Sequence, residues 1–262
     1  MPAVGRSHLL LLIAAIGGLV AMWFVAPIPQ DPAYHEFADQ RRFVGAPNFW
    51  NVFSNLPFGL LGVYGLALRR RLHPSVSGTA FAMFCIGVFW VAAGSGYYHL
   101  DPSTATLFWD RLPMTIAFMA LLAMVIGDRA SRRLGDALLW PLVAAGVASV
   151  VYWYWTELQG RGDLRAYALV QFLPMLLIAV LLGSSGGNGI NAGRLWAALG
   201  VYGCAKVAEH FDHIIYATAW LSGHSLKHLL ASIAVFLVLR AVLRAPQSVT
   251  PWAGAQPTAR PE

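Results

Sequence analysis

Eight stretches of this chain are each long and apolar enough to cross a bilayer, and they leave little sequence for anything else. A spanning helix needs about 20 mostly apolar residues, a criterion met at 8–26, 49–68, 77–97, 107–127, 136–156, 165–183, 194–219 and 223–243. With 58% apolar and only 11% charged residues, an ordinary soluble domain is excluded. The expected fold class is all-α, a polytopic membrane helix bundle with a seven-span core plus an extra N-terminal span. Residues 1–30 carry that extra span; Arg6 before it and Pro27 after it also make it readable as a signal sequence. Residues 31–244 form the seven-span unit, and the Pro-, Ala- and Thr-rich tail 245–262 is expected to be disordered.

The net charge of +6 does not point to nucleic acid. Only Lys206 and Lys227 of the 18 cations are lysine, and the arginines fall mostly in short runs between apolar stretches. Arg69 to Arg71, then Arg129, Arg132 and Arg133, then Arg194, then Arg240 and Arg244 all lie on one side of an eight-span arrangement. By the positive-inside rule that side is cytoplasmic. The opposite loops, 27–48, 98–106, 157–164 and 220–222, hold aromatics and acids with fewer cations. Cys85 and Cys204 both sit inside apolar segments, which rules out a disulfide framework and a Cys-rich zinc site.

Against this apolar background the histidines stand out. His224 and His228, in SGHSLKHLL, are four residues apart, which puts both rings on one helix face with Cβ atoms about 6 Å apart. Two such rings can close on one ion, and a third ligand from another helix completes the open arrangement of a hydrolytic zinc, with water in the fourth position. His99, which closes the third span, is the candidate third ligand. In the eight-span topology His99, Asp110, His224 and His228 all fall near the non-cytoplasmic level. The plainer reading of the pair is two interfacial histidines snorkelling at a helix start.

Ser95 lies one turn before His99 on the same face, placed to hydrogen-bond a metal-bound water or a ligand ring, or else a small residue at a helix contact. Asp110, in FWDRLPM, reads either as an acid favoured by the dipole in the first turn of a helix or as a base that takes a proton from metal-activated water. The segment 204–216 places Lys206, Glu209, His210, Asp212 and His213 in or near one span. Charges there are expensive and imply internal pairing or function, so a network supporting the site is expected, with His210 and His213 as rival ligands. Asn51, Ser54 and Asn55 form a polar helix stripe larger than a cap requires. Glu157, His35 and His73 are expected to be solvated loop residues.

Taken together these motifs resemble the alkaline ceramidase family of seven-span lipid amidases, within a wider group that includes adiponectin-receptor-like proteins. NFWNVFSNL resembles the family's EFWNxxSNL, GSGYYH followed by DRLPM resembles GSxxFH followed by DELPM, and GHSLKHLL resembles GHALWHLL; the likeness runs from about residue 39 to 235. It implies zinc on His99, His224 and His228, with Ser95 and Asp110 assisting hydrolysis of the amide bond of a ceramide-like lipid in the membrane. It also implies a calcium site, but Asn48 stands where the family has a ligating Glu. That leaves Asp39 as the one remaining oxygen ligand and argues against Ca2+. Arg111 replaces the Glu of DELPM. The composition is similar to that of bacterial members, which implies an inner-membrane protein whose substrates need not be ceramides. The leading expectation is a zinc-dependent lipid amidohydrolase. The alternatives are a receptor-like or lipid-binding protein with a structural zinc closed by His210 or His213, and a proton-coupled transporter using the charges of 206–213.

Overall fold

The computed structural model describes residues 3–184 and 186–244; the tail 245–262 lies outside the described residues. Among them every regular element but two isolated bridges is helical: α1 (Ala3–Trp23), α2 (Phe49–Phe53), α3 (Leu56–Ala67), α4 (Gly78–Leu100), α5 (Thr104–Arg129), α6 (Arg132–Leu158), α7 (Arg165–Ser184), α8 (Ala192–His210), α9 (Asp212–Thr218) and α10 (Gly223–Val242). Five of these, α4, α5, α6, α7 and α10, are by length and composition able to cross a membrane. The outer surface of the bundle exposes large apolar side chains such as Leu60, Trp90, Trp140 and Leu176, which suits lipid and not water.

Local chemistry sets the starts of these helices. Ser77, Asn191 and Ser222 cap α4, α8 and α10 through their side-chain oxygens, and Ser103 with Thr106 forms a reciprocal capping box on α5. Two expected spans are broken. The stretch 49–68 divides into α2 and α3, because Pro57 has no N–H to offer the carbonyl four residues back and the chain turns at Ser54 and Asn55. The stretch 194–219 breaks at Phe211, where the helix ends, and restarts at Asp212 as the short α9.

Helix α5 is the central element, with most of its residues buried. Its neighbour α4 approaches it very closely at Gly94, where any Cβ would run into the carbonyl of Trp109. That carbonyl lacks its usual donor four residues on, since the position is Pro113. The apolar core runs between α4, α5, α7, α8 and α10, while a second, aromatic cluster of Phe37, Tyr98, Leu107, Val150, Trp153 and Tyr167 packs the 27–48 loop onto the helix ends.

The arginine runs gather at one end of the bundle. There the His73 N–H donates to Val242 O, Arg244 N–H to Arg71 O and Asn191 N–H to Ala241 O, while the Arg194 guanidinium reaches Arg240 O. The last turn of α4 and the first turns of α10 lie at the other end, under the 27–48 loop.

Candidate metal centre

His99 sits in the last turn of α4, and His224 and His228 in the first two turns of α10. What brings α10 close enough is Gly223: a Cβ there would strike the Ala208 carbonyl and the Asp212 backbone. Asp212 then fixes the helix start, its Oδ1 accepting from the His224 N–H at 2.7 Å and its Oδ2 from the Ala38 N–H at 3.0 Å. One carboxylate thus ties the broken span, the loop and the histidine helix together.

The three imidazoles converge. Ring centroids lie 4.9 Å (His99–His224), 5.0 Å (His99–His228) and 4.9 Å (His224–His228) apart, and one nitrogen from each lies within 4.8 Å of the others. All three are at most 5% exposed. Phe37 packs against His99 and His224 with centroids at 4.6 Å, excluding water from the outer side. His228 is held through Nδ1, 2.8 Å from Ser54 Oγ and 3.3 Å from Asn55 Nδ2, which leaves Nε2 for the centre. Asn51 accepts from Ser225 Oγ at 2.6 Å and donates to the Asp39 carbonyl at 3.1 Å, while Asn48 Nδ2 donates to the His99 carbonyl at 2.9 Å. The polar stripe of the second stretch therefore orients the histidines, although the chain breaks within it. Such outer contacts fix tautomer and ring direction in metal sites.

The donor set fits a borderline transition metal. Three convergent imidazoles with no carboxylate among them suit zinc far better than a hard cation, and Nδ1 of His99 is buried with no hydrogen-bond partner. Calcium does not fit. It takes six to eight oxygens, and the carboxylate of Asp39 is already engaged by Arg41, whose Nε and Nη2 donate at 2.9 and 2.7 Å and whose backbone N–H donates at 3.0 Å. Burial would raise that carboxyl, but the Arg41 donors and charge hold it below the usual carboxylate range.

Ser95 and Asp110 are buried and line the same cavity as His228, with the Ser95 hydroxyl beside the Asp110 carboxylate. Asp110 is not in a first turn as expected. The Ser103–Thr106 box starts α5 at Thr104, so Asp110 lies in the second turn, where the helix dipole no longer accounts for it. His210 and His213 are exposed and take no part in the cluster.

The cavity has a volume of about 280 Å³. Tyr34, Ser95, Asp110, Arg111, Lys227 and His228 make its polar end, and its walls continue as Phe84, Val88, Met114, Leu121, Ile178 and Val238. Glu209 sits between Lys206 and Lys227, accepting from Lys227 Nζ at 2.8 Å and from the Tyr34 hydroxyl at 3.2 Å; Lys227 Nζ also lies 3.0 Å from His224 Nε2. The expected network in 204–216 is present in this form, without the two histidines.

Sequence reading missed Lys227, Phe37 and Tyr34. For Lys227 a signal was available, a lysine three residues from His224 within an apolar span; for the two loop aromatics there was none. Two residues expected to be solvated are engaged instead. His35 hydrogen-bonds Tyr98 Oη at 2.9 Å and Thr104 at 3.3 Å, and Glu157 accepts from Gln30 N–H and Trp153 Nε1, because the 27–48 loop folds down over the helix ends. His73 bonds Ser75 at the arginine end.

A family model described as Ceramidase matches residues 46–185, a span that contains Ser95, His99 and Asp110 and stops before α8. No curated protein matches the chain.

Proposed function

The chain belongs to the ceramidase family, and from that premise we propose that it is a zinc-dependent membrane amidohydrolase cleaving the amide bond of a ceramide-like N-acyl lipid. The observation that carries this reading is that His228, one of three buried and convergent imidazoles, shares its cavity with Ser95 and Asp110. Zinc bound by His99, His224 and His228 would supply Lewis acidity toward the amide carbonyl and lower the pKa of water at the site. Asp110 accepts the proton of the attacking water and returns it to the amine as the C–N bond breaks and the C–O bond forms. Ser95 donates to the oxygen that gains negative charge on the way. The apolar walls take the acyl chain. His210 and His213 are exposed and outside the cluster, so among the described residues three histidines and no fourth would hold the ion, which favours a catalytic zinc over a structural one closed by four ligands.

In this reading α1, the α2–α3 pair and the α8–α9 pair join the five long helices to make a seven-span core with an N-terminal span. The arginine end is cytoplasmic, the site faces the other side, and the membrane is a bacterial inner membrane. Elemental analysis of the purified protein, combined with a panel of N-acyl lipids with and without chelator, tests the reading. Bound zinc with chelator-sensitive release of fatty acid is expected; zinc with no hydrolysis of any lipid amide overturns it.

A further inference from the structure

The cavity beside the histidines is lined by more cations than carboxylates, and one of those cations makes no direct ion pair. Arg111 lines the cavity, is 5% exposed, and takes part in none of the ion pairs among the described residues. Its guanidinium is packed by the rings of Trp153 (4.2 Å), Tyr167 (4.5 Å) and Tyr34 (5.6 Å). Its Nη2 donates to Gln30 Oε1 at 2.8 Å, and its Nη1 is buried without any partner. Ring faces and an amide hold the group in place, but none of them neutralises it. Elsewhere on the same wall Lys206 and Lys227 share the single carboxylate of Glu209, and Asp110 is the other acid. Three cations against two carboxylates leave the cavity one positive charge in surplus.

A buried guanidinium with no anion in contact is costly, and its planar fork matches a carboxylate or a phosphate. Arg111 follows Asp110 directly in α5, so an anion held by it lies at the polar end, while the apolar walls run away from that end along α5, α7 and α10. Resting on the amidase reading above, we infer that the substrate is an N-acyl lipid whose amine portion bears an anionic group, carboxylate or phosphate, bound by Arg111. Neutral ceramide leaves that positive charge uncompensated.

Three lipids of equal acyl length test this on the purified full-length protein: a neutral ceramide, an N-acyl amino acid and a phosphate-bearing ceramide. The expected result is a kcat/KM at least about tenfold higher for an anionic lipid than for the neutral one; the two anionic arms tell carboxylate from phosphate. R111Q lowers the anionic-to-neutral ratio toward one, and R111K, which keeps the charge but loses the fork, lowers it less. Equal or better turnover of neutral ceramide by the wild-type protein overturns the inference and leaves the amidase reading standing. If no lipid is hydrolysed, the amidase reading and the substrate assignment fall together, and the anion site at Arg111 is decided on its own by binding of the N-acyl amino acid to chelator-treated protein. Tighter binding than of ceramide, weakened in R111Q, supports it, and equal binding overturns it.

Discussion

Both ends of the bundle bury charged and polar side chains, yet they use them in opposite ways. At the arginine end Asp128 and Arg129 form an ion pair at 3.1 Å, and their remaining groups are spent on the chain itself: Asp128 accepts from Ser75 Oγ and the Ile190 N–H, and Arg129 donates to the Ile190 carbonyl. These contacts close the loops between helices. At the histidine end the polar atoms converge on a cavity, and some are left over: Nδ1 of His99, Nη1 of Arg111 and Oδ1 of Asn55 are buried without partners. Polar burial that is internally satisfied holds a fold together, whereas polar burial with atoms to spare is arranged for something that arrives.

The comparison breaks most sharply at His228. H228A is expected to lose bound zinc and to drop lipid amide hydrolysis by more than the about 10²–10³-fold that a single oxyanion donor supplies, while the detergent-solubilised protein keeps its helical circular dichroism. Full activity with full zinc content in H228A would sink the histidine-centred site.

At the other end, D128A is expected to cost about 3–5 kcal/mol of stability, as breaking a buried ion pair does, read as an earlier thermal unfolding in detergent. Zinc content and turnover below that transition stay at the wild-type level. Loss of activity at temperatures where D128A remains folded would show that the two ends are not separate in role.

Between these lies S54A, which removes the 2.8 Å contact to His228 Nδ1 and leaves the ligand in place. Partners of this kind typically matter by about 10–100-fold in metal affinity or activity. A competition assay against a zinc chelator measures that shift, and an unchanged affinity would mean that Asn55, at 3.3 Å, suffices to orient the ring.

How far this contrast was legible in the sequence depends on the range of the contacts. The His224/His228 pair is a local, four-residue fact, and the meeting with His99 followed from counting spans, because topology alone carries α4 and α10 ends to one level. The arginine runs likewise marked their end of the bundle without any tertiary knowledge. Hydropathy could not show that 49–68 and 194–219 are broken, since a helix interrupted by Pro57 or at Phe211 keeps the same apolar composition. Nor could it show that Asp110 lies a turn deeper than expected, which rests on two side-chain caps at Ser103 and Thr106. The largest gap was the 27–48 loop: Phe37 against two histidines, Tyr34 on Glu209 and His35 on Tyr98 are contacts across 62 to 187 positions of chain, for which no local pattern exists.

The smallest effect comes from the loop between α6 and α7, which holds charge in neither manner. Asp163 accepts from Arg165 Nε at 2.9 Å and Nη2 at 2.8 Å and from Tyr152 Oη at 2.9 Å. The Arg165 donors lead in holding its carboxyl down at about 2, against an ordinary 3.8. A carboxyl depressed in the folded state contributes stability above the unfolded value and loses it as pH falls through the folded one. The contribution is therefore complete above about pH 4 and fades toward pH 2. Because Arg165 is partly open to solvent, the pair contributes little and is weakened by salt. Thermal unfolding of wild-type protein and D163N between pH 5 and pH 2.5 should show a gap that narrows with acid and with added salt, while zinc content at neutral pH stays equal in the two proteins. A gap that persists unchanged at the acid end would mean that Asp163 acts through its hydrogen bond to Tyr152 and not through its charge.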